Sequence, residues 1–523
     1  MPMFAGEDHR EKLIVLFTMC FALAMAMLDN TVVNVAIPTL IRELHADASE
    51  VQWIIDGYVL AFASLLLTGG ILGDKYGRKK MFLTGLAIFT TFSFMCGISS
   101  TPSQLIAFRA FQGVGGALMM PGTLSILTVT FPPNERAKAI GLWAGVSGLA
   151  LGIGPLLGGY ITQHASWHWV FFLNVPIGIV AFFVAIRTVR ESRSEQERNL
   201  DIPGLILGTA GLFCITYGLI EANRRGWSSA VIIGALTLGV ILIGAFLWWE
   251  SRNEHAMMPL SFFRIPAFSA GNLVAFSVSM GLFASFLYMS LYMQLVRGYS
   301  ATQAGLRFLP MTAMIIVTAP LAGRYAQKHG AKAPMTYGLT LAALGTLSLC
   351  FIQIDTPFWI VGIVFMVMGH GMGATMAPMT ATVMSSVGPQ RAGLGSAMTN
   401  TSREIGGVLG IAALGAVVFG HVKSSMNLSN LGLSPAQLST LKVAAGHGFV
   451  EPDRLAALGL SQAQMGGFVN AFNQAYMGGF HLATLIGGLI LLTAAVVTFR
   501  FIPGREAVPA AAPAAAEKVA VEI

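Results

Sequence analysis

Charged side chains are scarce in this 523-residue sequence. Asp, Glu, Lys and Arg together make up 11% of the chain, whereas ordinary soluble domains carry roughly 25%. A soluble protein of this length could not cover its surface with so few charges, and 55% of the residues are hydrophobic. The composition therefore excludes an ordinary soluble globular protein. It favours a protein whose exterior lies in lipid, where an apolar surface needs no charge.

Cysteine is also scarce, with four residues in the whole chain. Each lies within an apolar run, and no two have the spacing of a metal site. We interpret them as small buried hydrophobes, and we predict no disulfide, no metal site and no other cofactor. These residues are Cys20, Cys96, Cys214 and Cys350.

Several catalytic motifs are missing. The sequence contains no H-E-x-x-H, no G-x-S-x-G and no Walker phosphate loop. Their absence argues against a polytopic membrane enzyme and against a nucleotide-driven pump, so we predict that the protein is not an enzyme. The formal net charge of +7 does not indicate a nucleic-acid partner, because the basic residues lie in short loops between apolar runs.

Long apolar runs dominate what remains. Fourteen of them are long enough to span a bilayer, and each must be a helix, because lipid cannot satisfy the open edge of a strand. The predicted fold class is an all-α polytopic membrane protein. The predicted spans are 13–36, 51–72, 81–100, 103–128, 138–162, 168–187, 203–222, 228–249, 267–293, 304–325, 334–353, 357–385, 393–419 and 478–501.

An even number of spans puts both termini on the same side of the membrane. Lys and Arg in the segments on that side outnumber those on the other side about threefold, and the positive-inside rule then places both termini in the cytoplasm. The membrane would be the inner, or plasma, membrane of the cell. Arg224 and Arg225 are a local exception, since both fall in an outside loop.

Two cytoplasmic turns have similar sequences. Residues 70–77 read G-I-L-G-D-K-Y-G and residues 323–330 read G-R-Y-A-Q-K-H-G, which indicates two related halves, as transporters often have; chance similarity is the alternative. The predicted layout is 6 + 2 + 6 helices. Its parts are an N-terminal half at 1–187, a linker with two additional helices at 188–265, a C-terminal half at 266–502 with an outside loop at 421–477, and a disordered cytoplasmic tail at 503–523.

The first of these turns continues as a dense cluster of glycines, one acid and four basic residues at positions 70–80. Glycine permits positive φ and close approach, and Asp74 can accept hydrogen bonds from the N-terminus of a neighbouring helix. We predict a gating loop made by Gly70, Asp74, Gly77 and Arg78. The alternative is a positively charged cytoplasmic turn with no further role.

Four further stretches carry recognisable patterns. Residues 28–38 read L-D-N-T-V-V-N-V-A-I-P, residues 53–60 W-I-I-D-G-Y-V-L, residues 105–117 L-I-A-F-R-A-F-Q-G-V-G-G-A, and residues 154–159 G-P-L-L-G-G. With the G-x-L-x-D-x-x-G-R-K spacing of the loop, they resemble the major facilitator superfamily, in its fourteen-helix drug:proton antiporter branch of EmrB/QacA type. The chain departs from the pattern at Gln327, which stands where the first turn has Asp74.

The resemblance implies a major facilitator fold and a secondary active transporter. Such a protein exports amphipathic small molecules, such as drugs, antibiotics and dyes, in exchange for protons by alternating access. Its partners would be small-molecule substrates, protons and the lipid bilayer, and a periplasmic adaptor is conceivable although nothing in the sequence demands one. A dedicated exporter of one endogenous metabolite or lipid is an alternative that the sequence does not separate from a multidrug exporter.

Three ionisable residues fall within the outer half of the predicted first six helices. A charge at the bilayer centre costs about 2.5–3.5 kcal/mol on insertion scales, so Asp29, Asp56 and Arg109 need partners or water. Arginine beside a carboxylate favours the charged carboxylate, and protonating that carboxylate would free the arginine. The resemblance implies that Asp29 and Arg109 take part in proton coupling, and Asp56 adds a titratable group. A fixed structural ion pair is the alternative.

Arg403 and Glu404 lie midway along the thirteenth predicted span. Adjacent helix residues point about 100° apart, so we expect that they do not pair with each other and that at least one faces the bundle interior. Both are candidates for proton coupling, with a structural role as the alternative.

A run of small residues marks the fifth predicted span. Gly154, Gly158 and Gly159 permit close helix approach, and Pro155 removes a backbone donor and bends the helix. We predict a hinge or seal at this point, with ordinary membrane packing as the alternative.

Overall fold

The described chain consists of helices joined by short connections. In the computed structural model the described residues are 5–193, 201–253, 256–387, 392–434, 437–438, 441 and 459–504. No strand occurs among them, so the predicted all-helical fold class is confirmed. The α-helices are α1 Ala5–Leu44, α2 Ala48–Tyr76, α3 Arg78–Gly97, α4 Pro102–Thr130, α5 Pro133–His164, α6 His168–Phe172, α7 Asn174–Thr188, α8 Ile202–Arg225, α9 Ala230–Arg252, α10 Pro266–Leu291, α11 Ala301–Arg307, α12 Leu309–His329, α13 Lys332–Ser348, α14 Phe358–Ser386, α15 Ala392–Ser425 and α16 Gln462–Phe501.

Thirteen helical stretches within the described residues are long and apolar enough to cross a membrane. Two of these stretches contain a break, because α6 continues into α7 and α11 continues into α12. Helix α5 has 32 residues, about 48 Å at 1.5 Å per residue, but many of its side chains lie outside the described part. Its assignment as a fourteenth span, and the 6 + 2 + 6 layout, stay predictions.

Both helices that flank the predicted outside loop extend into it. Helix α15 ends at Ser425 and α16 begins at Gln462, so part of the segment 421–477 is helical, and its assignment as an outside segment stays a prediction. The 40 residues of α16 measure about 60 Å, roughly twice the hydrocarbon thickness. The helix therefore continues well beyond the apolar run, through polar residues that hydropathy alone assigns to a loop.

The disordered cytoplasmic tail expected at 503–523 falls almost entirely outside the described residues.

The two similar turns have the same backbone geometry. Gly77 ends α2 with φ of 116°, and its N–H donates to the carbonyl of Gly73. Gly330 ends α12 with φ of 91°, and its N–H donates to the carbonyl of Ala326. Residues with a Cβ rarely adopt such angles. The sequence similarity of these two turns therefore corresponds to a shared local structure.

Helices α8 and α9 form a pair at the edge of the bundle. Helix α8 packs against α2 and α15, one helix from each predicted half, and Trp53 of α2 contacts the rings of Phe213 and Tyr217. Helix α9 buries few of its side chains and has the highest hydropathy of the spans, as expected for a helix surrounded by lipid.

Arg224 and Arg225, the exception to the charge rule, have carboxylate partners. Nε of Arg224 lies 2.9 Å from Glu221, and its Nη1 lies 3.7 Å from Asp47. Nε of Arg225 lies 3.5 Å from the same Glu221. Both arginines therefore have carboxylate partners in the segment that the charge rule predicts to be outside.

A buried carboxylate holds the start of α8. Asp201 Oδ1 accepts hydrogen bonds from the N–H of Gly204, at 3.0 Å, and from Nε1 of Trp249 in α9, at 2.7 Å. Burial alone would raise the pKa of Asp201, but these hydrogen bonds hold it below its usual value. The same residue thus caps α8 and ties it to α9.

Candidate functional site

Asp29 of α1 and Arg109 of α4 form a buried ion pair through Arg109 Nη1 and Asp29 Oδ2. The exposed fractions of the two side chains are 0% for Asp29 and 1% for Arg109. The structure therefore brings together two residues that lie 80 positions apart in the sequence. Because either charge alone would be costly in lipid, their pairing explains how both can be buried.

Amide side chains complete the shell around this pair. Asp29 Oδ1 accepts hydrogen bonds from Gln112 Nε2, at 2.9 Å, and from Asn174 Nδ2, at 3.0 Å. Gln112 Oε1 in turn accepts from Arg109 Nη1, at 2.8 Å. Asn174 Nδ2 also lies 3.0 Å from Ser93 Oγ. The carboxylate is thus held by donors from α4 and α7 in a preorganised polar network.

Helix α2 contributes the other side of the arginine site. Arg109 Nε donates to the backbone carbonyl of Ile54, at 3.1 Å. The guanidinium carbon lies 4.2 Å from the centroid of the Tyr58 ring, a cation–π contact that is stronger when it is desolvated. Ile54 and Tyr58 are four residues apart and so share one face of α2. That face therefore fixes the orientation of the guanidinium.

Sequence reasoning missed the amide residues of this shell. Gln112 follows Arg109 by one helical turn within the motif at 105–117, so its spacing was an available signal. Asn174 begins α7 immediately after a break in the span, and its only signal was a polar residue within an apolar run. Both become recognisable as ligands of Asp29 once α1, α4 and α7 are packed together.

Asp56 lies on a different face of α2 and outside this hydrogen-bond network. Its side chain is fully buried, and neither carboxylate oxygen has a hydrogen-bond partner among the described residues. One turn earlier, Gln52 Nε2 donates to the Tyr288 hydroxyl of α10, at 3.2 Å, and that hydroxyl donates to the carbonyl of Ile411 in α15, at 2.7 Å. Asp56 therefore lies on the face of α2 that meets the second half.

Arg403 and Glu404 do pair with each other, contrary to the expectation from helix geometry. Arg403 Nη2 lies 3.3 Å from Glu404 Oε1, because the long arginine side chain reaches around the helix. Glu404 is 1% exposed and Arg403 is 20% exposed. Glu404 Oε2 and Arg403 Nε have no hydrogen-bond partner within the described part of the chain. This second pair is therefore less completely satisfied than the first.

The predicted gating loop is held mainly by Glu191, a residue that sequence reasoning did not identify. Its carboxylate accepts hydrogen bonds from the N–H groups of Lys79, at 3.0 Å, and Lys80, at 3.2 Å, in the first turn of α3. A Cβ at Gly77 would lie 2.6 Å from the same carboxyl group. The helix N-terminus thus binds an anion, and glycine at position 77 leaves space for it.

Asp74 has a different partner from the one expected. Its Oδ1 accepts hydrogen bonds from Arg78 Nε, at 3.0 Å, and from Arg78 Nη2, at 2.9 Å. The expectation that Asp74 binds a neighbouring helix N-terminus does not match this described contact, because Arg78 is only one turn away. Gly70, the first residue of the loop motif, lies against Pro121 of α4.

Two of the α5 glycines provide close packing against α1. A Cβ at Gly154 would lie 1.8 Å from Thr31 Oγ1, and a Cβ at Gly158 would lie 2.7 Å from the carbonyl oxygen of Val32. Real Cβ atoms do not approach so closely, so glycine at these two positions sets the distance between the helices. The contact lies two residues beyond Asp29 along α1, close to the ion pair.

The other small residues of α5 contact α11, which belongs to the predicted C-terminal half. A Cβ at Gly159 would lie 2.3 Å from the carbonyl oxygen of Ala301, and a Cβ at Gly305 would lie 2.3 Å from that of Pro155. Thr302 Oγ1 donates to the carbonyl of Gly159, at 3.0 Å. The glycine–proline motif is therefore a contact surface between the two predicted halves, in addition to packing on α1.

Helices α1 and α10 also meet across the two halves. Ser290 Oγ donates to the carbonyl of Asn34, at 3.2 Å, and Gln294 Nε2 donates to that of Val35, at 3.1 Å. These contacts and those of α5 with α11 lie at the helix ends that the charge bias predicts to be outside, which we call the outer ends. Hydrogen bonds thus join the two predicted halves at their outer ends.

Comparison with protein families identifies the fold and the class of activity. The model of the Major Facilitator Superfamily matches residues 19–411. The chain belongs to this superfamily. The resemblance seen in the motifs is therefore confirmed, and the protein is a multi-pass membrane transporter, not an enzyme.

Relatives within the superfamily include antibiotic resistance proteins. The chain is 34% identical over 494 residues to a tetracenomycin C resistance and export protein of Streptomyces glaucescens, covering 92% of this chain and 90% of that protein. It is 36% identical over 395 residues to a methylenomycin A resistance protein of Streptomyces coelicolor, covering 75% of this chain and 83% of that protein. Both relatives are named for resistance to an antibiotic, and the first is also named as an export protein.

Solved structures agree with the superfamily fold. A bacterial homologue of the human lysosomal transporter Spinster superposes with a TM-score of 0.59 and 16% sequence identity, covering 96% of this chain and 99% of that one. At this level of identity the similarity concerns the fold alone.

Proposed function

We propose that this transporter exports amphipathic small molecules across the inner membrane in exchange for protons. The observation that carries the proposal is the buried Asp29–Arg109 pair, which is held in the bundle by amide donors. A carboxylate in this position can bind a proton only by giving up its interaction with the arginine. Proton binding at Asp29 is therefore tied to a rearrangement of the charges around it.

The coupling step involves one proton and no covalent change. When a proton binds to Asp29 from the outside, the carboxyl group becomes neutral and Arg109 loses its counter-charge. The uncompensated guanidinium would then favour any arrangement that brings another carboxylate or water to it. Release of the proton to the cytoplasm restores the pair, and each cycle carries cargo in the opposite direction.

Asp56 and Glu404 are the proposed additional carboxylates of this cycle. Both are buried and both have carboxylate oxygens with no partner among the described residues, so each can bind a proton or a cationic group of the cargo. They lie on α2 and α15, which pack against each other across the two halves. Movement of the halves would therefore change the surroundings of both carboxylates together.

Alternating access would use the contacts between the outer ends. Hydrogen bonds from α10 to α1 and from α11 to α5 close this side, and the glycines of α5 allow the helices to meet without a gap. Opening would break these few polar contacts while the close packing within each half persists. The α2–α3 turn, with Asp74, Arg78 and Glu191, is the proposed cytoplasmic counterpart.

A dedicated exporter of one compound is the second candidate. Each of the two antibiotic resistance relatives is named for a single antibiotic, tetracenomycin C or methylenomycin A. A narrow substrate range would use the same ion pair and the same conformational cycle. The two candidates differ in whether structurally unrelated dyes and antibiotics compete for export.

The test uses inverted membrane vesicles to which a fluorescent cationic dye is added from the outside. We expect proton-driven dye accumulation that collapses on addition of a protonophore, and Asp29→Asn should abolish it while membrane insertion persists. Asp355→Asn is the matched control, because Asp355 is an exposed carboxylate away from the ion pair. Dye accumulation that persists with the protonophore, or full transport by Asp29→Asn, would contradict the proposal of proton antiport at this site.

A further inference from the structure

A groove of about 580 Å³ lies between α8, α15 and α16 at their outer ends. Its volume is in the range of sites that bind small molecules. None of its lining residues belongs to the ion pairs or the gating loop, so it is separate from the proposed transport site. The apolar lining consists mainly of Leu219, Trp227, Ala413, Ala416, Val417 and Leu482.

Small residues on one wall produce the groove. Ala413, Ala416 and Gly420 recur along α15 at a spacing of three or four residues, so this face of the helix lacks large side chains. Asn223 Nδ2 of α8 donates to the carbonyl of Ala416, at 2.9 Å, and Lys423 Nζ donates to the carbonyl of Asn223, at 2.8 Å. These two bonds fasten α8 to α15 and give the groove a fixed wall.

Polar and basic groups surround the outer rim of the groove. His421 and Ser424 line it, and the Lys423 side chain is exposed there, bonded to a backbone carbonyl instead of a carboxylate. Arg224 and Arg225 follow Asn223 at the end of α8.

Lys423 supplies the positive charge at this rim. Among its described contacts there is no carboxylate, and one bond to the carbonyl of Asn223 leaves two of its N–H donors for an external anion. Arg224 and Arg225 have carboxylate partners instead, in Glu221 and Asp47, so we do not assign them to the groove.

We propose that this groove binds an anionic phospholipid of the outer leaflet. One acyl chain would lie along the alanine-lined wall of α15, and the headgroup phosphate would contact Lys423 at the rim. Trp227 lies at the same rim, a position where its amphipathic ring suits the membrane interface. A Lys or Arg near a membrane surface attracts anionic headgroups by about 1 kcal/mol.

A lipid in this position would pack between the α8–α9 pair and the C-terminal half. Because α8 also contacts α2, the bound lipid would support the side of the bundle where the two halves meet. Lipid binding here is independent of whether Asp29 exchanges protons. An experiment can therefore contradict the lipid site without contradicting proton exchange at Asp29, and the reverse also holds.

The experiment uses the full-length protein in nanodiscs that contain phosphatidylglycerol or phosphatidylcholine with a photoreactive acyl chain. Cross-linked peptides are mapped by mass spectrometry. We expect labelling of the segments around 413–424 and 219–227. Phosphatidylglycerol should label these segments about fivefold more than phosphatidylcholine, because one nearby cation attracts an anionic headgroup by about 1 kcal/mol.

Two variants probe the two ends of the lipid. Ala413→Phe should fill the groove and reduce labelling by both lipids. Lys423→Gln should reduce the preference for phosphatidylglycerol while leaving phosphatidylcholine labelling unchanged. The matched controls are Gly234→Phe, where the added side chain points into open space on α9, and Lys328→Gln, which removes an exposed lysine at the opposite end of the bundle.

Equal labelling by the two lipids, or undiminished labelling of Ala413→Phe, would overturn the proposal. So would displacement of the lipid label by a transported dye at the concentration that supports export, since the groove would then belong to the cargo. Unchanged export activity of Lys423→Gln together with its lost lipid preference would support a lipid site distinct from the transport pathway.

Discussion

The two buried ion pairs of this transporter differ in how completely their polar atoms are satisfied. Around Asp29 and Arg109, both carboxylate oxygens accept hydrogen bonds and the guanidinium contacts a carbonyl and an aromatic face. Around Arg403 and Glu404, one oxygen and one guanidinium nitrogen lack a described partner. Both pairs carry charge into the bundle, but only the first is enclosed by a complete set of described contacts.

This difference indicates a division of roles. A saturated pair resists change until a proton removes one charge, so it suits a switch with two defined states. An incompletely satisfied pair retains capacity for an additional ligand, such as a cationic cargo group or water. The first half would then carry the proton switch, and the second half would contribute to cargo binding.

Arg109→Met should have the largest effect, because it leaves the Asp29 carboxylate buried without its counter-charge. Breaking a buried ion pair by removing one partner costs about 3–5 kcal/mol, so we expect a large fall in thermal unfolding temperature and no export. Arg403→Met is the matched variant in the second pair and should cost less, since Arg403 is 20% exposed. Equal destabilisation by the two variants would contradict the proposed difference.

Asn174→Leu should have an intermediate effect. The variant removes one hydrogen bond to Asp29 while keeping a similar side-chain volume, and hydrogen bonds to charged groups contribute roughly 1.5–3 kcal/mol. We expect a smaller fall in unfolding temperature and weaker proton-driven export. Ser402→Ala, which removes a hydrogen bond to Asn272 beside the second pair, serves as the control. A larger fall in unfolding temperature and export in Ser402→Ala than in Asn174→Leu would contradict the expectation, because the hydrogen bonds beside the second pair would then contribute more.

Glu404→Gln should change stability least and cargo selection most clearly. The glutamine keeps the volume of the buried side chain, and Arg403, which is 20% exposed, can bond to water instead. We therefore expect the free energy of unfolding to fall by less than about 1 kcal/mol. Export of cationic dyes should fall several-fold, while export of neutral compounds persists. Vesicle transport with one cationic and one neutral dye checks this. A parallel loss for both dyes would mean that Glu404 acts in the shared conformational cycle.

The sequence predicted the helices and the first ion pair better than the details around them. Hydropathy located the spans because lipid requires continuous apolar runs, and the cost of buried charge pointed to Asp29 and Arg109. It could not reveal that Gln112 and Asn174 bind the same carboxylate, because their helices meet only in the packed bundle. It also missed Glu191, which reaches the start of α3 from the segment after α7.

Other errors have local causes. The last helix begins before its apolar run because polar residues with a capping serine can form helix outside lipid. Arg403 reaches Glu404 because side-chain length outweighs the angular separation of neighbouring helix positions. In the first case the prediction did not consider the polar surroundings of the helix end. In the second case it did not consider the length of the arginine side chain.

Proton movement coupled to cargo is the most direct measure of the Asp29 switch. In proteoliposomes with a trapped pH indicator, a dye gradient should drive proton movement in the opposite direction, and the indicator should report it in the wild type. Asp29→Asn should bind dye with near wild-type affinity but move no protons. Dye-driven proton flux of normal size in Asp29→Asn would contradict the assignment of this ion pair as the site of coupling.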